Sequence, residues 1–495
     1  MIAILLLLAG GACIAWAPPV AAAMGYALCW LGLQQTPKWR FWAAWLWGAG
    51  TLAIQFSWFA TPHYHGPFIL VAYVLICLSM GLLWAGFCQL VEKKTMHVLA
   101  LAAIWTLVEW GKLHLLCGFA FHQAGMALTS IVYTRWLVSA AGVLGLTFWV
   151  MVTNLFFLSD RKKWVLAACC PYLLGFGHMY HYGQRGKTAP TRRALLIQTG
   201  LFPEQKAPMM KDLFAFVAPI EQWQRVMARI EPADYIVLPE AAFPFGARTQ
   251  LFSQSQVETL FKQTLPNRGG WSHLDIAKEL AKQTQAEVML GLDDSDEVHH
   301  YNAAFHITPS GQVTRFEKQQ LLPVAEVLPF EWLRSFAATY GIEEFFTPGG
   351  TPSICGEKEP LTMSICYDEC FGMMVRNQDA RLHVNVSNDA WYPHSKLNQV
   401  HFEHGRLRAI ENGIPMIRVC NTGVTAIVDS LGRTVAALEG EGAGAVIGDV
   451  PMYTYPTFYR DFGDLPLLSF CFITVPIFVL RCSKKAASAK VENIA

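Results

Sequence analysis

The stretch Pro67–Val91 runs without a single charged side chain. About 20 apolar residues are enough to carry a helix across the hydrocarbon core of a bilayer. In that medium the backbone has to satisfy its own hydrogen bonds, so an apolar run of this length reads as a spanning helix. Further apolar runs occupy Ile2–Trp16, Val20–Leu33, Phe41–Ala60, His97–Leu116, Trp136–Leu158, Trp164–Tyr180 and Leu465–Leu480. The first two are short, and Pro18-Pro19 divides them into two segments or bends one long one. A cleaved signal peptide is the other reading of the start, but no basic residue precedes Ile2. Composition agrees with a membrane protein: 53% of the 495 residues are hydrophobic, 15% are charged, 17 are Trp, and the mean hydropathy is +0.29.

Basic residues orient these segments. Lys38 with Arg40, Lys93-Lys94, Arg161-Lys162-Lys163, and Arg481 with Lys484-Lys485 fall in every second connection. Thr61–Gly66 and Cys117–Ser130, the connections between them, carry none. The positive-inside rule then predicts eight spans, both termini cytoplasmic, and the long insertion His181–Asp464 on the opposite side. The expected domains are a membrane domain over 1–180, a catalytic domain over 181–464, a last span over 465–482 and a disordered cytoplasmic tail over 483–495. Within the fifth apolar run, Glu109 and Lys112 stand i, i+3, a spacing at which they can pair on one helix face. Each unpaired charge at a helix centre would cost roughly 2.5–3.5 kcal/mol. They read either as an end-of-helix pair at the headgroups or as a lining for a lipid or domain contact.

After Tyr180 the chain becomes polar, and strand and helix patterns alternate, which argues an α/β domain. Strands are predicted at Ala194–Gln198, Tyr235–Leu238, Glu287–Leu292, His383–Val386, Ile414–Cys420 and Val424–Ser430. Tyr301–Thr308 and Val313–Lys318 form a hairpin around Pro309-Ser310-Gly311. Helices are predicted at Phe214–Ile230, Trp271–Gln285 and Leu397–Asn412, the last stopped by Gly413. In Leu361–Phe371 the residues Leu361, Met363 and Ile365 alternate with Thr362 and Ser364, and the strand runs into Cys366-Tyr367-Asp368-Glu369.

Cys366 thus stands at the polar end of a strand, where a nucleophile is displayed. Alone it would read as a small buried hydrophobe, since a free thiol is only slightly ionised near neutrality. Two other strand ends change the reading: Tyr235–Phe245 delivers Glu240, and Val313–Phe330 delivers Lys318, followed in a proline-punctuated loop by Glu326. The three ends supply a base for a thiol, a cation for an oxyanion and a nucleophile.

In that order Glu240, Lys318 and Cys366 resemble the Glu-Lys-Cys triad of the nitrilase superfamily. The flanking strings resemble its membrane-bound branch, the apolipoprotein N-acyltransferases. They are PEAAFP at Pro239–Pro244, the Lys…Leu-Pro…Glu…Pro pattern at Lys318–Pro329, ICYDE at Ile365–Glu369 and VSNDAW at Val386–Trp391. RLRAIENG at Arg406–Gly413 and NTGVTAIVD at Asn421–Asp429 complete the set. The resemblance covers nearly the whole chain. It implies a multi-span α-helical membrane domain with a four-layer α-β-β-α sandwich outside the cytoplasm, in the inner membrane of a bacterium. It also implies acyl transfer from a phospholipid to the α-amine of a lipoprotein's N-terminal diacylglyceryl-cysteine, by a ping-pong route through a thioester on Cys366. Glu326, Tyr367, Asp368, Asn388, Trp391 and His401 match family positions that support the triad or the substrates. No cofactor or metal is implied, and a monomer is expected. This chain departs from the family in having Asp368 where Glu is usual, and in a compact stretch Trp391–His401. A membrane-tethered amidase with water as acceptor is the alternative reading.

Other features carry less. The net charge of +1 and the lack of a basic patch give no reason to expect a nucleic-acid partner. The 13 cysteines are scattered, and of Cys355, Cys366, Cys370 and Cys420 one pair could oxidise. His401 and His404 share a helix face, but no third metal ligand is marked. His63-Tyr64-His65 and His299-His300 read as loop residues. Aromatic pairs at Trp391-Tyr392, Phe330 with Trp332, and Phe345-Phe346 are candidates for keeping water from the site. Topology is the reading most directly testable: in a cysteine-depleted variant, Gly66→Cys and Ser130→Cys should react with an impermeant thiol reagent from outside, and Lys162→Cys should not. Labelling of all three from one side would end the eight-span reading.

Overall fold

The computed structural model describes the chain apart from residues 92–96, 116–117, 209–213, 324, 329–344, 352 and 493–495, and the side chains of 484–492. The chain divides into two units, Met1–His181 with Thr457–Ala495, and Tyr182–Pro456.

The first unit is helical. Its longer helices are Ile2–Trp16, Tyr26–Gln34, Arg40–Gln55, Phe68–Leu90, Val98–Lys112, Val138–Ser159, Arg161–Arg185 and Leu465–Glu492. Among the described residues, Phe68–Leu90, Val138–Ser159 and Leu465–Ser483 are long and apolar enough to cross a membrane. Leu465–Ser483 exposes Phe470, Ile473, Ile477 and Leu480, a surface suited to hydrocarbon. The first helix ends at Ala17, followed by Pro18–Val20 and a π-helical turn over Ala21–Gly25. Such a turn disturbs the regular carbonyl pairing. Asn154, fully buried in Val138–Ser159, repairs it: its Nδ2 donates to Ala21 O at 3.2 Å and Ala22 O at 2.9 Å, while Oδ1 accepts from Ala27 N at 3.0 Å. Arg40 does the same at a helix end, its Nη2 donating at 2.6 Å to the carbonyls of Cys88 and Val91.

The pairing expected of Glu109 and Lys112 is replaced by other contacts. The loop after Lys112 folds back, with Phe119 N donating to Lys112 O at 2.8 Å. Glu109 then accepts from Ala124 N at 2.8 Å, from Trp105 Nε1 at 3.0 Å and from Thr147 Oγ1. Lys112 Nζ stands 5.5 Å from the centre of the Phe119 ring. Three donors from fixed neighbours satisfy the buried carboxylate without a direct ion pair to Lys112. Two boundaries also move: the helix expected to end at Tyr180 continues to Arg185, and the last helix continues to Glu492 through the expected tail. His63 and His65 lie in a short helix, Pro62–His65, rather than a loop.

The second unit is built on β1 (Thr191–Gln198), β2 (Tyr235–Val237), β3 (Glu287–Ser295), β4 (His300–Ile307), β5 (Val313–Glu317), β6 (Leu361–Ile365), β7 (Leu382–Ser387), β8 (Met416–Cys420), β9 (Thr425–Val428), β10 (Thr434–Leu438) and β11 (Gly444–Pro451). One sheet has the order β11-β1-β2-β3-β4-β5 and the other β10-β9-β8-β7-β6. Within them β1-β2-β3 and β6-β7-β8 run parallel. Alternation sorts the side chains: Leu196, Val237, Met289, Met363, Val384 and Val419 fill the space between the sheets. Leu195, Ile236 and Leu290 face outward onto Trp223 and Leu280 of the flanking helices and onto Trp271. On the far side Met416, Ala426 and Val428 pack against Phe402 and Ala409 of helix Leu397–Asn412. The layers are therefore α-β-β-α. Gly413, in the left-handed region at φ 63°, ends that helix as expected. The helix expected over Phe214–Ile230 forms only over Pro219–Met227, because the residue before a proline avoids helical geometry. Strands β10 and β11 and helix Gln254–Phe261 were not anticipated. The glycine-rich run between Gly440 and Gly444 masks the two strands, although β11 pairs with β1 along its whole length.

Gly291 in β3 admits the chain that follows β2. Its N–H donates to Pro239 O at 3.0 Å, and its carbonyl accepts from Ala242 N at 2.8 Å. A Cβ at this position would lie 2.5 Å from Glu240 Cα and 2.9 Å from Pro239 O. Gly291→Ala must therefore push backbone against backbone, and overpacking of this kind costs about 1–3 kcal/mol. Thermal unfolding of the variant should show a lowered midpoint; an unchanged midpoint would mean that the two segments are not in this contact.

Candidate active site

Parallel strands end on one edge, and loops leaving that edge carry the polar residues of this unit. Glu240 follows β2 and is 5% exposed. Lys318 follows β5 and is 2% exposed; its N–H donates to Asn302 O at 2.9 Å. Cys366 follows β6, half-buried, and opens a 3₁₀ turn that runs to Cys370. Its φ is 49°, in the left-handed region that costs a non-glycine residue roughly 1–2 kcal/mol. A sharp strand-to-turn bend of this kind lifts a nucleophile clear of the sheet.

Lys318 ties the acidic groups together. Its Nζ lies 3.1 Å from Glu240 Oε1 and 2.8 Å from Glu326 Oε1. Asn302 Nδ2 donates to the same two oxygens, at 2.7 Å and 3.1 Å. Leu322 N holds Glu326 Oε2 at 2.8 Å. Among the described residues no hydrogen bond is made to Oε2 of Glu240. Burial, followed by the charge of Glu240, holds the Cys366 thiol well above its ordinary range, with Lys318 opposing. The resting sulfur is a thiol, so reaction requires a base beside it. Burial works against the Lys318 charge, yet Cys366, Glu240 and Glu326 hold its pKa well above the ordinary lysine value. Asp293 of β3 is a further half-buried acid here, raised to about 6 by burial and then by Glu240.

Asp368 connects the cysteine turn to the lysine loop. Oδ2 accepts from Ile365 N at 3.1 Å, and Oδ1 from Gln319 N at 3.2 Å and Gln320 N at 2.7 Å. Burial lifts its carboxyl to about 7. Tyr367 is buried edge-on against Phe371, ring centres 5.0 Å apart. Asn388 Oδ1 accepts from Asn421 Nδ2 at 3.0 Å, joining the loops after β7 and β8. Trp391 is 42% exposed, whereas its neighbour Tyr392 is buried, and its phenol is raised by burial and then by the charges of Cys366 and Glu326. Of the other aromatic candidates, Phe330 and Trp332 lie outside the described residues.

His401 belongs to a different cluster, behind the cysteine turn. Its Nδ1 is 2.8 Å from Asp389 Oδ1 and its Nε2 3.0 Å from Glu369 Oε1. Arg418 Nε and Nη2 both reach Glu369 Oε1 at 2.9 Å. Burial opposes a charge on His401, but Glu369 and Asp389 hold it well above the usual imidazole range. Cys355, Cys366, Cys370 and Cys420 are all free thiols, so the sequence-level option of a disulfide among them is not taken up.

The structure brings Glu240, Lys318 and Glu326 into direct contact and puts Cys366 within their field, while His401 and Trp391 stand outside those bonds. Asn302, Glu369, Asp389 and Arg418 were not singled out from the sequence. Asn302 carried one signal, a lone amide among apolar residues in the strand His300–Ile307. Asp368→Ala would leave the buried amide of Ile365 and the half-buried amides of Gln319 and Gln320 without an acceptor, a loss of about 1–3 kcal/mol for the buried one and less for the others. A clear fall in the unfolding midpoint is expected, smaller for Asp368→Asn, which keeps one carbonyl oxygen; equal midpoints for both variants and the parent would remove Asp368 from this role.

Comparison with known proteins covers both units. Residues 197–457 match the carbon-nitrogen hydrolase family, and residues 3–156 match the apolipoprotein N-acyltransferase N-terminal domain. The chain is 32% identical to the apolipoprotein N-acyltransferase of Chlamydia muridarum over 491 residues, covering 90% of this chain and 89% of that one. It is 30% identical to the enzyme of the same name from Chlamydia trachomatis, covering 91% and 90%. Among solved structures, a CN-hydrolase superfamily protein of Xanthomonas campestris aligns at 17% identity and a TM-score of 0.38, over 53% of this chain and 91% of that one.

Proposed function

This chain belongs to the apolipoprotein N-acyltransferases of the carbon-nitrogen hydrolase superfamily, and from that premise we propose how its own residues carry out lipoprotein N-acylation. The observation that carries the reading is the left-handed Cys366 in the field of an ammonium shared by two carboxylates.

Oε2 of Glu240 takes the proton from the Cys366 thiol, and the thiolate attacks the acyl ester carbonyl of a phospholipid. Lys318 stabilises the developing oxyanion, a contribution of about 10²–10³ in rate for one such donor. The carbon–oxygen bond breaks, the leaving alkoxide recovers the proton from Glu240, and a lysophospholipid departs from a thioester on Cys366. The free α-amine of a diacylglyceryl-cysteine then attacks this thioester. Glu240 takes a proton from the amine and returns one to the sulfur, and an amide is formed. Thioester to amide is downhill, so the cycle uses no cofactor. Glu326 and Asn302 keep Lys318 and Glu240 aligned, Asp368 holds the lysine loop to the cysteine turn, and the buried Tyr392 stands within the field of the sulfur. Asn388 and Trp391 stand on loops of the same edge, where the acceptor is received; Tyr367 and His401 pack the turn from behind.

The donor and the lipidated acceptor both reside in a bilayer, which is why the catalytic unit is joined to apolar helices. The protein is read as a monomer of the bacterial inner membrane with eight spans, both ends cytoplasmic and the catalytic unit periplasmic; the alternation of basic connections supports this. No nucleic acid takes part.

Incubated with phospholipid alone, the purified full chain should release about one lysophospholipid per active site and gain one fatty acyl group on Cys366 by intact mass. A diacylated lipopeptide with a free α-amine should discharge the thioester, and its N-acetylated form should not. Continuous release of free fatty acid without amine would instead assign a hydrolase.

A further inference from the structure

Among the described residues of the catalytic unit, one buried ammonium has no hydrogen-bond partner. Lys206 ends the short helix Pro203–Lys206 in the loop that leaves β1. The residue is 8% exposed, and its Nζ is buried without a hydrogen bond. The other buried lysines and arginines among the described residues of this unit are paired: Lys318 with Glu240 and Glu326, Arg418 with Glu369, and Arg408 with Glu411. An unpaired buried charge is expensive, so a lysine kept in this state points to an occupant that arrives during the reaction.

Topology puts Lys206 beside the triad. Strands β1, β2 and β3 are parallel neighbours, so their carboxyl ends lie side by side. Lys206 follows the first, Glu240 the second, and Asp293 lies near the end of the third. The loop is fixed rather than trailing. Gly200 N donates to Asn421 O at 2.9 Å, Asn421 Nδ2 donates to Leu201 O at 2.6 Å, and Gln222 Nε2 donates to Lys206 O at 3.2 Å. Burial and then the fields of Glu240 and Asp293 act on the amine, with a net fall to about 8, and neither carboxylate bonds to it. The amine is thus a cation at the edge of the catalytic cluster whose hydrogens are not taken by any described residue.

The identity of the occupant follows from the two substrates, and so rests on the function proposed above. The acceptor brings an amine, which an ammonium repels. Only the donor brings an anion, and Lys318 already gives two of its hydrogens to carboxylates. We propose that Lys206 holds the phosphodiester of the glycerophospholipid donor while the donor's ester carbonyl lies at Cys366. The loop after β1 would then select the donor by its phosphate and would make no demand on the rest of the headgroup.

The test is a preference measured within one protein. Acyl-enzyme formation by the detergent-solubilised full chain is followed with phosphatidylglycerol and with the p-nitrophenyl ester of the same fatty acid, which has no phosphate. In Lys206→Met the phospholipid-over-ester ratio of kcat/KM should fall about 10- to 100-fold, the size of a hydrogen bond to a charged group. The loss should lie mainly in KM, and Lys206→Arg should keep most of the preference. Because both rates come from the same sample, partial misfolding cancels in the ratio. An unchanged ratio in Lys206→Met, whatever the absolute rates, overturns the proposal. Failure of the parent protein to form an acyl-enzyme from either donor would overturn the thioester mechanism instead.

Discussion

The catalytic unit is organised around one ammonium group shared by two carboxylates. Lys318 Nζ reaches Glu240 and Glu326 from a position 2% exposed, and Asn302 bonds the same two oxygens from β4. Charges taken out of water at such depth persist only when their hydrogen bonds are met. That requirement fixes the ends of β2, β4 and β5 and the loop carrying Glu326 in a single arrangement. Gly291 serves it too, since any side chain there would displace the backbone at Glu240.

The same charges explain why the cysteine waits for its substrate. A thiolate made in advance would be stabilised by Lys318 but repelled by Glu240, Glu326 and Asp389, and burial penalises it further. The thiol is the resting form, and proton transfer belongs to the reaction itself. In the proposed ping-pong route a thioester has to outlast the arrival of a second lipidated substrate, which favours a nucleophile that is not indiscriminately reactive. Behind the turn, Glu369, His401, Asp389 and Arg418 form a buried set of two acids and two cations. Opposite charges in equal number give the left-handed cysteine a rigid backing that an apolar filling would not orient. Asp368, shorter by one methylene than the family's usual glutamate, still spans to two loops because the amides of Gln319 and Gln320 approach it closely.

In the helical unit the corresponding constraint is the backbone. Where the chain departs from regular helix, at Ala21–Gly25 and after Leu90, a side chain from elsewhere in the sequence supplies the missing donors: Asn154 in one case, Arg40 in the other. A polar residue inside an apolar helix is thus a repair made in three dimensions, and Glu109 with its three donors is another.

Local pattern was sufficient for much of this protein. Continuous apolar runs defined the helices of the first unit, short apolar runs marked β1, β3 and β4, and period-two alternation marked β6, because burial on one or both faces leaves a mark that needs no knowledge of partners. Residue type at strand ends singled out Glu240, Lys318 and Cys366 as candidates. The sequence did not reveal β10 and β11, whose small residues and glycines carry little intrinsic strand preference; β11 is a strand because β1 offers it a full edge. Nor did it reveal Asn302, Arg418 or Lys206, since each lies far along the chain from the groups that give it meaning. The Glu109–Lys112 pairing failed for the same reason: spacing brings two charges within reach, but the fold decides whether better partners arrive first. Hydrogen bonds and charge pairs between distant segments exist only after the chain has closed, and there the tertiary structure alone decided.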